Sequence, residues 1–291
     1  MRLDSMRLMD HLELAAGYAA GGRRKALPRS AACSGCGLGH VCLPADLDVT
    51  ETYRLDPIIR RGRPLRTART LFHAGQRFEA IYAIRSGSVK TLVLAPDGGT
   101  SVCGFHLPGE ILGLDGIAQD RYPVSAVALE PTRYCGIPYR ALQDLAATHR
   151  GLRDELPRLL SRALVRSQDQ IQLVTARRAR ARIAAFLADL AGRRQRNHQS
   201  SIEFRLPMMR VDIASYLRLT IETVSRTLSE LQEEAVIAVR ARVIQILDAG
   251  RLAAAAQGSI DDSAADEARV PSIASGASSD ATATDRSALG R

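Results

Sequence analysis

Residues 210–233 read RVDIASYLRLTIETVSRTLSELQE. Apolar side chains recur at helical spacing in two groups, which are Ile213, Ala214 and Leu217 and then Val224, Leu228 and Leu231. Thr220 stands between the groups, where its hydroxyl is placed to cap a second helix. Two short helices joined by a tight connection, with a small alanine at their crossing, have the spacing of a helix-turn-helix. The stretch therefore predicts a DNA-binding element.

The exposed face of the second predicted helix carries polar side chains that suit base edges. Glu222, Ser225 and Arg226 lie at i, i+3 and i+4, opposite the buried stripe. Arginine bonds guanine with two N–H groups, glutamate accepts from a cytosine amino group, and serine takes either role. Thr223, Arg218 and Arg210 are predicted to contact phosphates. A solvated Glu–Arg pair on an exposed helix is the alternative interpretation.

The residues after this unit predict a wing. Residues 237–247 are apolar on both sides of a break at Arg240-Ala241-Arg242. Two such runs joined by a short turn indicate a β-hairpin. We therefore predict a winged helix-turn-helix.

The pattern is different between about residues 62 and 140. Short apolar segments occupy residues 80–84, 88–94, 101–105 and 124–129, with turn residues such as Ser86-Gly87 and Pro108-Gly109 between them. Strands at this close spacing indicate an antiparallel β-roll or sandwich.

A helical pattern begins near residue 150. Five positions follow a 4-3-4-3 spacing and predict a dimer interface, namely Leu160, Leu164, Ser167, Ile171 and Val174. A helix packed on its own β-domain is the alternative. Pro157 fits the first turn of the helix, where no backbone N–H is needed. A second helix is predicted over residues 180–190, with a Gly/Arg/Gln linker after Ala191.

Charge and hydropathy exclude several classes of protein. The net charge of +9 suits a polyanionic partner, although an unspecialised basic surface would give the same number. No apolar run approaches the roughly 20 residues of a membrane span, and the N-terminus lacks the apolar core of a secretory signal. We therefore predict a cytoplasmic protein with no membrane partner. The absence of a convincing nucleophile–base constellation predicts that it is not an enzyme.

The cysteines predict an inorganic cofactor. Three of the five have the spacing C-x2-C-x5-C at Cys33, Cys36 and Cys42, with glycines between them. Disulfides are not expected where cytosolic thiols stay reduced. Four thiolates bind either zinc or an iron–sulfur cluster. The spacing leaves the fourth ligand open among Cys103, Cys135 and His40.

Taken together, these residues resemble the CRP/FNR superfamily, and within it the FNR-type oxygen-sensing regulators. The resemblance covers roughly residues 33–250. Besides the helix-turn-helix and the cysteine loop at 33–44, it is carried by LFHAG at 71–75, YAIRSG at 82–87, GFHLPGE at 104–110, CGIP at 135–138 and RIAAF at 182–186.

The resemblance implies an α+β fold with three parts, which are an N-terminal antiparallel β-roll like those that bind cyclic nucleotides, a long dimerisation helix and a C-terminal winged helix-turn-helix. We accordingly predict an arm at 1–32, a cysteine loop at 33–44, the roll at 45–150, the dimerisation helix at 151–177, the DNA-binding domain at 178–250 and a disordered tail at 251–291. The tail is rich in alanine, serine and aspartate, so it has little to bury.

The resemblance also implies function. The family's distant cysteine precedes an Ile-Pro pair, as Cys135 does, so Cys135 becomes the fourth ligand of a [4Fe-4S] cluster. Its assembly without oxygen favours a homodimer, and its oxidation releases the dimer. Glu222, Ser225 and Arg226 become base-reading residues for an inverted repeat of TTGAT-like halves. RNA polymerase is the implied partner of such an activator at promoters.

Two positions depart from relatives. Family members often place aspartate in the seam where this chain has Ser167, so separation of the cluster-free form by charge repulsion is expected to be weaker. Relatives that bind cAMP need an Arg-Ser pair for the phosphate, and this chain has Val124-Ser125. No cAMP binding is expected. A zinc-bound or cluster-free regulator that ignores oxygen remains the alternative.

Overall fold

The computed structural model describes residues 33–94, 99–175 and 178–258. The predicted arm at 1–32 and most of the predicted tail lie outside the described residues. After the cysteine loop come a short 3₁₀ helix, Leu43–Asp46, and helix α1, Val49–Leu55. Eight strands follow, namely β1 (Arg60–Arg61), β2 (Thr70–Phe72), β3 (Ala80–Ser86), β4 (Val89–Leu94), β5 (Thr100–His106), β6 (Ile111–Leu112), β7 (Ser125–Ala128) and β8 (Arg133–Pro138).

These strands form two four-stranded antiparallel sheets, with the orders β1-β8-β3-β6 and β2-β7-β4-β5. Alternate side chains of each sheet point inward, where Phe72, Ile81 and Val89 are buried. The ring of Phe72 stacks on Tyr122 with centroids 4.0 Å apart. The predicted β-roll is therefore confirmed. The four apolar segments correspond to β3, β4, β5 and β7, whereas β8 was not predicted.

Three helices follow the roll. They are α2 (Tyr139–Thr148), α3 (Arg150–Thr175) and α4 (Ala179–Arg196). Pro157 lies inside α3 and not in its first turn, because the helix already begins at Arg150. The predicted linker after Ala191 is wrong, since α4 continues to Arg196. The continuation buries the side chain of Arg193.

Helix α3 has two unlike faces. Leu152 and Leu159 are buried in the core of the roll. The predicted seam residues Leu160, Leu164 and Ile171 keep 43%, 61% and 59% of their surface exposed. Ser167 is exposed and Val174 is half-buried. The helix therefore packs on its own roll by one face and presents an exposed apolar stripe on the other, and the dimer interface at this stripe stays a prediction.

The C-terminal part is a three-stranded sheet with helices on it. Its elements are β9 (Glu203–Arg205), α5 (Arg210–Leu217), α6 (Ile221–Glu233), β10 (Ile237–Arg240), β11 (Val243–Ile246) and α7 (Ala249–Ala256). The sheet order is β10-β11-β9, and β10 with β11 forms the predicted wing. The predicted start of the tail at 251 is wrong, because α7 packs on α4 and buries Leu252 and Ala255.

Among the described residues, no helix is long and apolar enough to cross a membrane.

Candidate nucleic-acid interface and cysteine cavity

The helix-turn-helix is assembled as the sequence predicts. All six residues of the two apolar groups are buried, with Leu217, Val224 and Leu231 fully so. The Thr220 hydroxyl accepts a hydrogen bond of 3.1 Å from the backbone N–H of Thr223, which caps α6.

The turn between the helices depends on a residue that was predicted only to contact phosphate. Arg218 adopts the left-handed conformation, with φ 57°, where glycine is usual. The guanidinium of Arg182 donates hydrogen bonds to the carbonyls of Leu217 and Arg218 at 3.2 and 3.3 Å. Arg182 thus stabilises a turn that has no glycine.

The predicted base-reading residues share one surface of α6. Glu222 and Arg226 are exposed and Ser225 is half-buried. Arg226 pairs along the helix with Glu230, at 3.5 Å. Arg210 donates a hydrogen bond of 3.0 Å to the Ser225 hydroxyl, which links two of the predicted DNA contacts in the free protein.

Glu222 is held in its ionised form. Hydrogen bonds from its own backbone N–H and from the Thr220 hydroxyl keep the pKa of this carboxyl below its ordinary value. An ionised carboxylate only accepts hydrogen bonds. Glu222 is therefore suited to the amino group of a base and unsuited to a phosphate.

The four cysteines of the predicted ligand set line one small cavity. Cys33, Cys36 and Cys42 come from a loop closed by short backbone hydrogen bonds, such as that from the Cys36 N–H to the Cys33 carbonyl at 3.0 Å. Cys135 comes from β8, where it is paired with Arg61 of β1. The remaining wall is largely apolar and includes Leu43, Ile59 and Ile137, and the guanidinium-bearing residues Arg61 and Arg85 complete it.

The chemistry of the cavity disfavours free thiolates. Burial, together with the negative charges of Cys42 and Cys135, raises the pKa of Cys33 to about 12. Burial is also the main reason that the pKa of Cys42 rises to about 12. A group of thiolates in this cavity therefore requires a cationic partner to offset their charge.

Cys103 and His40 lie elsewhere. Cys103 is on β5, donates a hydrogen bond to the Ser101 carbonyl at 3.6 Å, and lines a separate, larger cavity beside α3. His40 Nε2 lies 3.1 Å from the carbonyl oxygen of Arg196, and its ring packs against His198. Within residues 33–94, 99–175 and 178–258, no three His, Cys, Asp or Glu side chains are placed to hold a single metal ion.

Comparison with known proteins identifies the family. A model of the cyclic nucleotide-binding domain matches residues 63–149, and a model of the Crp-like helix-turn-helix domain matches residues 181–255. The transcriptional activator Anr of Pseudomonas protegens is 41% identical over 229 residues, covering 79% of this chain and 94% of that protein. The chain belongs to the CRP/FNR superfamily.

Further relatives place it among the FNR-type regulators. The fumarate and nitrate reduction regulatory protein of Salmonella typhimurium is 39% identical over 224 residues, covering 77% of this chain and 90% of that protein. The solved structure of FixK2 from Bradyrhizobium japonicum superimposes with a TM-score of 0.62 at 27% identity, covering 67% of this chain and 96% of that one. This FNR-type protein is a DNA-binding transcription regulator and not an enzyme.

Sequence reasoning missed how the DNA-binding part of this FNR-type regulator is joined to its roll. Arg193 of α4 donates to both carboxylate oxygens of Glu110, at 2.8 and 2.6 Å, and to the carbonyl of Phe105 at 2.6 Å. Only 6% and 9% of the two side chains are exposed. Burial alone would raise the pKa of Glu110, but the charges of Arg193 and Arg166 outweigh it and hold the pKa below its usual range.

A second set of contacts joins helix α5 to strands β4 and β5 of the roll. Lys90 of β4 forms an ion pair with Asp212, and the Val102 N–H donates a hydrogen bond of 2.9 Å to the Ser215 hydroxyl. The rings of Phe105 and Tyr216 pack with centroids 4.9 Å apart. The first helix of the helix-turn-helix is thus held against the β-roll by polar and aromatic contacts together.

Proposed function

We propose that this regulator responds to oxygen or redox state through a [4Fe-4S] cluster held by Cys33, Cys36, Cys42 and Cys135. One observation carries the proposal. These four cysteines line a common cavity, whereas Cys103 lies in another one. The relatives that are named fumarate and nitrate reduction regulators support an iron–sulfur type of regulator.

The residues present fit such a cluster. Thiolates are the usual ligands of iron–sulfur clusters, and an apolar wall with nearby positive groups limits solvent access and offsets their charge. When bound, the cluster would supply an oxygen-labile connection between the cysteine loop and β8.

We propose that the regulator acts as a homodimer through the exposed stripe of α3. An apolar row of Leu160, Leu164 and Ile171 on an otherwise polar helix face is typical of a surface that another chain covers. Ser167 and Val174 continue the row along the helix. Two copies joined in this way would present two recognition helices to half-sites one helical turn apart.

The proposed operator is an inverted repeat with TTGAT-like halves. Glu222, Ser225 and Arg226 would read bases, and Thr223, Arg218 and Arg210 would contact phosphates. The hydrogen bond from Arg210 to Ser225 would then be exchanged for bonds to DNA.

The remaining parts of the proposal concern compartment and partners. A promoter regulator acts where the chromosome is, so we propose the cytoplasm, with RNA polymerase as the partner at promoters. We propose no cAMP response, because Glu110 is engaged by Arg193 and Ser125 accepts a hydrogen bond from the Ala74 N–H at 2.9 Å. Isothermal titration with cAMP tests this point directly.

Purification without oxygen tests the proposed cofactor. We expect brown protein with about four irons per chain, as one [4Fe-4S] cluster per chain requires. Operator binding should be lost after exposure to air. Iron and acid-labile sulfide analysis, absorption spectra and fluorescence anisotropy with a labelled operator provide the measurements. Colourless, zinc-containing protein that binds equally before and after air would establish the oxygen-blind alternative.

Arg226→Ala tests the proposed base contact. Each bidentate contact to a base contributes about 1–3 kcal/mol of discrimination, so operator affinity is expected to fall roughly 5- to 150-fold. Discrimination against operators that lack the contacted guanine should fall as well. Arg150→Ala removes the same charge from an exposed position on α3 and is the control. Equal losses on operator and on random DNA would show that Arg226 contacts only phosphate.

A further inference from the structure

A chain of charged side chains joins the cysteine loop to α3. Arg162 of α3 donates from Nη1 to the carboxylate of Asp46 at 3.1 Å. It also donates from Nη2 to the carboxylate of Glu155, which lies on the same helix. Glu155 is fully buried, whereas Asp46 and Arg162 keep 49% and 45% of their side-chain surface exposed. One guanidinium thus bridges a residue of its own helix and a residue next to the cysteines.

Asp46 is linked to the cysteines by a stiff element. Cys42 immediately precedes the 3₁₀ helix that ends at Asp46, and its carbonyl accepts a hydrogen bond from the Ala45 N–H at 3.0 Å. Leu43 and Pro44 of this helix are buried. The proline fixes one backbone dihedral of this single turn, and burial of its first two residues holds it in place. A shift of Cys42 therefore moves the Asp46 carboxylate.

Arg162 lies on the face of α3 opposite the dimer stripe. At 100° per residue it is about 200° around the helix from Leu160. Arg162 and Glu155 are seven residues apart and therefore share the inner face, together with buried Leu159. A pull on Arg162 from the cysteine loop therefore turns or shifts the helix that carries the stripe.

We propose that Arg162 is a positioning residue that couples the cysteine loop to the dimer stripe through Asp46. The inference rests on the proposed function, because it assumes that the loop is ordered by its cofactor. With the loop ordered, Asp46 and Glu155 hold Arg162 from two sides and add to the packing of Leu152 and Leu159 in setting the rotation of α3. With the loop released, only Glu155 remains, and the stripe is no longer held in register.

We expect the ion pair between Arg162 and Asp46 to affect the position of α3 more than the free energy of unfolding. A half-exposed ion pair contributes little to the free energy of unfolding. Removing Arg162 itself would leave the buried carboxylate of Glu155 with only the longer ion pair to Arg158, at 4.0 Å, so the fold could suffer for an unrelated reason. Asp46 is the better position to change, because Arg162 keeps Glu155 when Asp46 is neutralised.

Asp46→Asn tests the coupling in the full-length, cluster-loaded protein. Sedimentation equilibrium without oxygen and again after air gives two dimer dissociation constants, and their ratio measures the coupling. We expect unchanged iron content and absorption, but a ratio about two- to fivefold smaller than in the wild type, the size of one partly exposed ion pair. Asp46→Glu should restore the ratio, because it restores the carboxylate.

Asp154→Asn is the matched control, because Asp154 pairs with Arg150 at 3.7 Å within the same helix and does not reach the loop. A wild-type ratio in Asp46→Asn overturns the coupling role. Loss of iron in Asp46→Asn also overturns it, because Asp46 would then serve the loop alone. If the wild-type protein itself lacks iron, or has equal dimer dissociation constants before and after air, the proposed function is refuted. That result differs from both outcomes in the Asp46→Asn variant.

Discussion

Cys135→Ala is expected to abolish operator binding under anaerobic conditions, whereas Cys103→Ala leaves it nearly intact. Cys135 lines the cavity shared with Cys33, Cys36 and Cys42, and it is the member of the set that belongs to β8. Without it the proposed cluster would lose its one ligand from the sheet. Affinity should fall to the level of random DNA, which for specific regulators is about a thousandfold or more.

The control is internal to the chain. Cys103 is a half-buried thiol on a strand of the same roll, and its replacement removes a similar volume. Fluorescence anisotropy in an oxygen-free chamber, with iron measured on the same samples, provides both readouts. Equal losses of binding and iron in the two variants would refute the assignment of the fourth ligand to β8.

Arg193→Met is expected to cost about 3–5 kcal/mol of folding stability, because it leaves a buried carboxylate without its main partner. Arg193 donates to Glu110 through two nitrogens and also binds the Phe105 carbonyl. For a chain of this length each kcal/mol corresponds to about 2–4 °C in the unfolding temperature, so a fall of roughly 10 °C is expected in calorimetry. Arg196→Met, at an exposed position on the same helix, should change it little.

The pH dependence of this variant has a definite sign. In the wild type the pKa of Glu110 is held low, so its contribution to stability is present at neutral pH and is lost as the pH falls through that pKa. In Arg193→Met burial is no longer outweighed, the pKa of Glu110 rises, and protonation favours the folded state. The stability deficit should therefore narrow as the pH falls from 7 to 5. The double variant Arg193→Met, Glu110→Gln should recover most of the loss at neutral pH, and failure to recover it would assign the effect to packing alone.

The helix-turn-helix was predictable because its information is local. Six apolar residues at helical spacing and one capping threonine define both helices, and the structure buries the six and bonds the cap. Only the exposed apolar stripe of α3 could be predicted, because residue spacing reveals such a stripe. Spacing does not reveal which face of the helix the roll covers. The α7 helix was missed because its start was assigned to the alanine-rich tail, and its burial depends on contact with α4.

The charged contacts between distant segments were not predictable. Arg193 and Glu110 are 83 residues apart, and Arg162 and Asp46 are 116 apart. Each of these residues is an ordinary surface type in sequence, and only the packing of the helices on the roll brings them together. Pro108-Gly109 predicted a turn, yet the partner of the Glu110 carboxylate that follows it is Arg193, from the stretch predicted to be a linker.

The attachment of helix α5 to the roll has a consequence for how DNA is read. The helix-turn-helix is attached to the roll by the ion pair of Lys90 with Asp212 and by the hydrogen bond from Val102 to Ser215. These contacts oppose its movement as a separate body. In a twofold assembly of such protomers, the distance between the two recognition helices would be set by the whole protein. Binding would then depend on the length of the spacer between half-sites as strongly as on the base sequence within them, because the protein could not adjust to a displaced half-site.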